Sequence, residues 1–325
     1  MKKPLLVALV LLHVFFLRAQ EKSSTFNFLK FPVSSHAAAL GGMNVSVVDD
    51  DPTLAFANPS LLTNVSDKTM NLNYMSYMKG STVASASFVK TIGERHTLGF
   101  NAVYVNYGDI TETDETGTEL GDFSAKDFAI GASYSYALSD RWAGGATMRF
   151  ISSKYAEYNS LAIAFDLGLN YFDEDNDFSL GITMRNVGAQ LKKFDEKSEH
   201  LPFDLDVGIT KSMAHAPVRF SLTMIDLTRW SSDYYYTEDG KKPSTGRILL
   251  NHFAAGVDII PTEVFYISAG YNARRAYELK AAGSSHMAGF SIGGGLKLKK
   301  FKLGATYARY HVAASSALVN LAYSL

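Results

Sequence analysis

From Thr69 onward the chain alternates apolar and polar residues in one run after another, and the gaps between the runs obey a rule of their own. Fourteen runs read as strands, because a period of two puts successive side chains on opposite faces of a sheet. They fall near 69 to 78, 81 to 91, 96 to 107, 125 to 138, 141 to 154, 159 to 172, 177 to 187, 201 to 211, 215 to 227, 249 to 260, 262 to 273, 286 to 298, 301 to 310 and 315 to 325. Phe290, Ile292, Leu296 and Leu298 share one face of such a run, and Ser291, Gly293 and Lys297 share the other. The even-numbered connections are tight, as at Gly93-Glu94, Ser139-Asp140, Pro261-Thr262 and Lys299-Lys300, while the long ones are all odd: Gly108 to Ser124, Gly188 to Pro202, Thr228 to Ile248 and Ala273 to Ser285. A closed antiparallel barrel that spans a membrane has short turns at one end and longer loops at the other. A secreted β-sandwich, the competing class, has no reason to sort its loops this way.

The expected fold is therefore all-β: a 14-stranded antiparallel transmembrane barrel over 69–325, preceded by a plug over 21–68. The plug stretch, Phe31 to Leu62, has no sustained period of two. Ser34 or Ser35 is placed to cap a short helix through His36 and Leu40, which Gly41 ends. Asp51-Pro52 opens a second short helix that stops before Asn58-Pro59. Helices this short are not stable alone, so they must pack inside something larger. Gly41 and Gly42 are the positions expected to need positive φ or a close approach. Asp204 and Asp206 are expected to face the lumen, since acids are penalised on the lipid face. Tyr74, Tyr77, Tyr104, Tyr107, Trp142 and Tyr307 are candidates for the aromatic girdles.

Residues 1–20 read as a secretory signal, with Lys2 and Lys3 ahead of an apolar run from Leu5 to Leu17 and cleavage near Ala19 to Gln20. No later segment has the apolar length of a membrane helix. An exported chain that alternates throughout belongs in the bacterial outer membrane, with the plug and tight turns periplasmic and the long loops extracellular. A net charge of -1 argues against nucleic acid as a partner. The absence of cysteine excludes disulfides and thiolate metal sites.

Enzymatic and metal signals are weak. Gly289-Phe290-Ser291-Ile292-Gly293 matches a nucleophile elbow in letters only, since no helix follows the serine. Asp173 to Asp177 is similar to a calcium loop but places Phe178 where glycine is needed and Met184 where the final acid belongs. Asp49 to Asp51 reads better as an acid cap on a plug helix than as a cation site. The mature histidines, such as His36, His96, His200 and His215, lack metal spacing. No catalytic residue, cofactor or metal is assigned. The loops carry another kind of candidate. Arg229, Trp230, Tyr234, Tyr235, Tyr236, Lys241 and Lys242 form a mixture enriched where proteins bind proteins. Lys192 and Lys193 open a charged loop that also holds Asp195, Glu196 and Lys197.

Leu40-Gly41-Gly42, then Val45, Asp49 to Asp51, Ala55 and Asn58-Pro59-Ser60, resembles the hatch pattern of the PorV and PorQ group of FadL-like barrels, which serves the type IX secretion system of Bacteroidetes. The compact length is nearer to the PorQ branch. The resemblance implies a barrel with an internal hatch that belongs to the cell-surface attachment complex and performs no catalysis itself. It further implies a PorZ-like surface protein as partner, with PorU- and PorV-like components and outer-membrane lipid and lipopolysaccharide nearby. The loop residues named above are the positions onto which that anchoring role is carried, and Gly41, Gly42, Asp51, Asn58 and Pro59 mark the hatch. The alternative it leaves open is a FadL-like transporter of hydrophobic small molecules, with Phe31, Leu40, Leu54 and Phe56 as candidate lining.

Overall fold

The computed structural model describes residues 25–325 except 79, 197, 238–240, 284–286 and 313. The expected signal over 1–20 and Lys197 lie outside the described residues. Fourteen strands close into one antiparallel barrel in which each strand pairs with its neighbours in sequence and β1 pairs with β14. The first seven are β1 (Thr69–Met78), β2 (Ser81–Ile92), β3 (His96–Thr113), β4 (Glu119–Ala137), β5 (Trp142–Tyr155), β6 (Tyr158–Asp173) and β7 (Phe178–Lys192). The rest are β8 (Asp204–Ser212), β9 (Val218–Met224), β10 (Phe253–Thr262), β11 (Phe265–Asn272), β12 (Phe290–Lys297), β13 (Phe301–His311) and β14 (Ala314–Ser324). The closing seam aligns Leu72 with Leu321 and Tyr74 with Val319.

Alternation explains which side each residue takes. Leu72, Phe100, Ile130, Phe150, Phe165, Phe220, Ile292 and Leu321 are exposed on the outer wall, while Asn71, Ser133, Thr147, Asp166, Asp206, Thr223, Asp258 and Ser291 are buried inside. An apolar exterior around a polar interior inverts the soluble pattern and identifies a membrane-facing wall. Asp204 and Asp206 face inward, as expected. Among the expected girdle residues, Tyr74, Tyr104, Trp142 and Tyr307 are exposed on the outside. Tyr77 and Tyr107 are corrections: Tyr77 packs on Phe31 of the plug and the Tyr107 hydroxyl donates to Asp127. Each lies three residues beyond an outward tyrosine, an odd step that turns it to the other face.

The loops are more ordered than their composition suggested. Within 108–124, β3 and β4 go on pairing past a bulge, with Ile110 opposite Phe123 and Thr113 opposite Glu119. Short helices occupy Thr245–Asn251 and Ala273–Ala281, capped by the side chains of Ser244 and Asn272. The connections after β7, β9 and β11 carry the long loops, all at one end. The opposite end has only tight turns.

The plug fills the lumen. It enters at the long-loop end, where the Thr25 amide donates to the His200 carbonyl. It leaves at the tight-turn end, where Asp50 accepts from Ser66. Ser34 caps the helix Ser35–Ala39, and Gly41 and Gly42 follow at φ 105° and 104°. Asp51 caps the 3₁₀ turn Pro52–Phe56, as its sequence foretold. This turn stops before Asn58-Pro59, as expected. Asn58 then caps a further 3₁₀ turn, Pro59–Asn64, by the same Asx-Pro grammar that opens the turn at Asp51.

Candidate functional site

Two kinds of contact hold the plug, and a cavity opens where they differ. Toward the tight turns the plug backbone lies directly against inward-facing glycines of the wall. A methyl group at Gly181 would overlap the Val45 carbonyl, and one at Gly145 would overlap the Pro59 carbonyl and the Ser60 amide. Asn58 Nδ2 braces the plug itself by donating to the Val45 carbonyl at 2.8 Å. From the wall, Thr306 donates to the Ser35 carbonyl at 2.6 Å and, nearer the long loops, Ser291 Oγ donates to the Ala39 carbonyl at 2.8 Å. Ser291, the serine of the elbow-like pentapeptide, thus stays within a strand and docks the plug.

Ion pairs join the same seat. The buried His36 ring lies 2.9 Å from Asp258 through Nε2 and 3.4 Å from Asp49 through Nδ1. Lys297 meets Asp49 at 2.5 Å, Arg219 meets Asp258 at 2.8 Å, and Lys302 pairs with Asp50. The acid triplet is therefore fully engaged: Asp49 and Asp50 bind wall lysines and Asp51 caps a turn. Burial alone would depress the His36 pKa, but the Asp258 carboxylate and the hydrogen bonds to Asp258 and Asp49 outweigh it and raise it to about 9.

Toward the long loops the plug is held by charge and aromatic rings. Lys30 pairs with Asp226 at 2.5 Å and lies 3.7 Å from Asp204. Arg274 binds the other Asp226 oxygen at 2.5 Å and Glu278 at 3.0 Å. The Tyr234 hydroxyl accepts from Arg274 at 2.9 Å and from Lys30 at 3.2 Å, while the Arg274 and Arg229 guanidiniums lie over the Tyr234 ring. Burial works against an ionised Asp226, yet Lys30 and Arg274 hold its carboxyl well below the ordinary range. Burial also disfavours the Lys30 ammonium, and Asp226 and Asp204 raise it nonetheless. Plug, loop and the Ala273–Ala281 helix are latched together here.

Beneath this latch lies a vestibule of about 300 Å³, lined by Lys30, Phe31, Gly42, Tyr77, Arg275 and Tyr310 among others. It shares Phe31, Pro32, Gly42, Met43 and Arg185 with a narrower crevice of about 40 Å³, which is walled largely by Phe28, Leu29, Val33, Phe56, Val103 and Ala129. Of the lining expected from sequence, Phe31 and Phe56 border these cavities. Leu40 and Leu54 instead pack with Ala37, Val47 and Leu61 in a small core of the plug itself.

The loop candidates divide. Arg229 and Tyr235 are buried, and the Tyr235 hydroxyl donates to the Arg229 carbonyl. Tyr234 is half-buried in the latch, whereas Trp230, Tyr236, Lys241 and Lys242 are exposed. Lys242 pairs with Asp233 at 3.1 Å. Lys192 ends β7 and donates to Asn159, and Lys193 reaches the Glu196 carbonyl. Lys30, Asp226, Arg274, Arg275 and Tyr310 were not singled out from sequence. Their one local signal is the Arg274-Arg275 pair inside an otherwise ordinary connection.

No protein-family model matches the sequence, and no curated protein matches it either. Solved structures do match. The Pseudomonas putida toluene transporter TodX is similar at 11% identity, with 90% of this chain and 97% of that chain covered and a TM-score of 0.55. The monoaromatic hydrocarbon channel CymD is similar at 13% identity, with 93% and 99% covered and a TM-score of 0.56. A Pseudomonas aeruginosa FadL homologue is similar at 11% identity, with 90% and 98% covered and a TM-score of 0.51. A closed barrel of fourteen strands, an apolar outer wall and an internal plug together give this chain the fold of the FadL-like outer-membrane barrels.

Proposed function

We propose that this barrel passes small hydrophobic molecules across the outer membrane around its plug, with the long loops outside and the tight turns in the periplasm. The observation that carries this reading is the pair of contiguous cavities between plug and wall. A charged vestibule leads into a crevice lined by Phe28, Leu29, Phe31, Met43 and Phe56. The structural neighbours that transport or conduct aromatic hydrocarbons lend it support. At about 40 Å³ the crevice holds only a few atoms, so passage requires the plug to shift. The test is uptake of radiolabelled toluene by cells whose outer membrane carries the protein. Faster uptake than in cells carrying Phe31→Asp is expected, and equal uptake would end the reading.

A second reading has its own observation. The plug fills most of the lumen, while Trp230, Tyr236, Lys241 and Lys242 are presented to solvent. A closed barrel with adhesive loops suits a platform of the PorQ kind, anchoring a PorZ-like surface protein in a type IX attachment complex. Gentle extraction of the tagged protein from its native outer membrane separates the two. A stoichiometric surface protein is expected for the platform, and a lone barrel carrying apolar ligand for the transporter.

A further inference from the structure

The charges around the vestibule pair off with one cation left over. Lys30 and Arg274 share Asp226, and Arg274 also binds Glu278. Arg185 binds Asp206 at 2.9 Å and lies 3.7 Å from Asp204. Arg275 meets no carboxylate among the described residues. It donates from Nη2 to the Gly289 carbonyl at 3.0 Å, lies over the Tyr310 ring at 4.6 Å, and keeps a buried Nε without a partner. The Tyr310 hydroxyl is also buried without a hydrogen-bond partner. Both side chains line the vestibule.

The plug leaves room beside them. A Cβ on Gly42 would stand 3.1 Å from Arg275 Nη1 and 3.8 Å from the Tyr310 hydroxyl, so the missing side chain leaves space beside these groups. Gly42 also has a φ of 104°, which other residues rarely adopt. An uncompensated guanidinium is costly to bury, and an oxyanion offsets that cost through charge-assisted hydrogen bonds. The neighbouring walls are aromatic: Phe31 and Tyr77 lie with ring centroids 4.4 Å apart. A vestibule of about 300 Å³ has room for a small aromatic molecule.

We infer that the vestibule is a binding site for a small aromatic carboxylate, whose oxyanion meets Arg275 and Tyr310 and whose ring packs against Phe31 and Tyr77. The site rests on the reading of the lumen as a passage, and it gives that passage a preference for anions that neutral hydrocarbons do not satisfy. An arginine-carboxylate pair confers that preference because the unpaired guanidinium gains most from a charged partner.

The test is calorimetric titration of the purified full-length barrel in detergent with benzoate, benzyl alcohol and inorganic phosphate, beside toluene uptake in cells. Benzoate is expected to bind at least tenfold more tightly than either of the others, and Arg275→Gln to weaken benzoate at least tenfold while leaving benzyl alcohol unchanged. Tyr310→Phe, which keeps the ring and the cation contact, is expected to weaken benzoate severalfold. It serves as the second variant if Arg275→Gln does not fold. Equal binding of benzoate and benzyl alcohol, undiminished benzoate binding in both variants, or phosphate binding as tightly as benzoate would each overturn the site. Toluene uptake persisting without benzoate binding would remove this inference alone, whereas loss of uptake altogether would remove the passage beneath it.

Discussion

The two ends of the plug are held by different physics. Toward the tight turns the seat is made of shape. Plug backbone lies against wall glycines such as Gly181 and Gly145, and the wall hydroxyls of Thr306 and Ser291 donate to plug carbonyls, which no plug side-chain mutation removes. Toward the long loops the hold is made of side chains, with Lys30, Asp226, Arg274 and Tyr234 converging from three separate segments. Shape contacts have no intermediate positions, because a close-packed interface transmits strain. Ion pairs can be exchanged one at a time. The lower end therefore resists stepwise displacement more than the upper end, and the vestibule lies at the upper end.

The largest effect should come from spoiling the shape. Gly145→Val places side-chain atoms where the Pro59 carbonyl lies, and Gly181→Val does the same to the Val45 carbonyl. Overpacking typically costs about 1–3 kcal/mol and more when the obstacle is backbone. Both variants should still form barrels, but limited proteolysis should cut the plug many times faster than in the parent. Unchanged plug protection would mean that shape does not dominate the lower end.

Next in size is the ionic part of the same seat. His36 faces Asp258, Asp49, Arg219 and the Tyr266 ring, and its pKa rises from the ordinary 6.5 to about 9. A raised pKa means that the stabilisation is complete below pH 6.5 and fades as pH rises through about 9. The difference corresponds to about 3 kcal/mol of plug docking between the two ends of that window. Hydrogen exchange of plug amides measured from pH 6 to 10, after correction for intrinsic rates, should show falling protection. His36→Gln should flatten the profile. A parent profile already flat would assign the seat wholly to shape.

At the upper end, Lys30→Met should leave Asp226 with Arg274 alone. Breaking a buried pair costs about 3–5 kcal/mol, and about 2 kcal/mol is the fairer expectation here because the Lys30 side chain keeps 21% of its exposure. Faster exchange should appear in Ser232–Tyr234 and in the Ala273–Ala281 helix, with Leu54 and Leu61 unaffected. If the whole plug loosens together, the two ends are one cooperative unit and the contrast between them fails.

That contrast also explains what was legible in the sequence. Alternation and loop lengths fixed the strand count because both are local. The Asx-Pro signals at Asp51 and Asn58 are equally local: the stop before Asn58-Pro59 is legible, and only the further turn that Asn58 opens is not, since a proline that ends one turn also opens another. The wall glycines were visible at inward parity, but nothing in Gly181 or Gly145 names the plug atom that needs the space. The latch was hidden more deeply. Lys30, Asp226 and Arg274 are far apart in sequence, and only barrel closure brings them together. Composition marked the loop after β9 as adhesive, and the same tyrosines proved to serve two purposes, with Tyr234 and Tyr235 turned inward and Tyr236 outward.

The smallest stability effect is expected from that outward face, and it sharpens the comparison within a single loop. Tyr236 is 58% exposed, so Tyr236→Ala should change barrel stability by no more than about 0.5 kcal/mol, whereas Trp230, 44% exposed, donates to the Leu227 carbonyl at 2.7 Å and packs 4.2 Å from the buried His252 ring, so Trp230→Ala should cost about 1 kcal/mol. Tyr235→Phe removes the donor to the Arg229 carbonyl and should cost about 1 kcal/mol, although it deletes a single oxygen. Thermal melts followed by loss of the folded band on unboiled gels would measure all three. If the outward face is also a docking surface, Tyr236→Ala should weaken co-purification of a surface partner while leaving the melt unmoved, because an exposed aromatic contributes to binding only once a partner buries it. A Tyr236→Ala variant that lowers the melting temperature as much as Tyr235→Phe would place that ring in the latch, and the outward face of this loop would then be part of the hold on the plug.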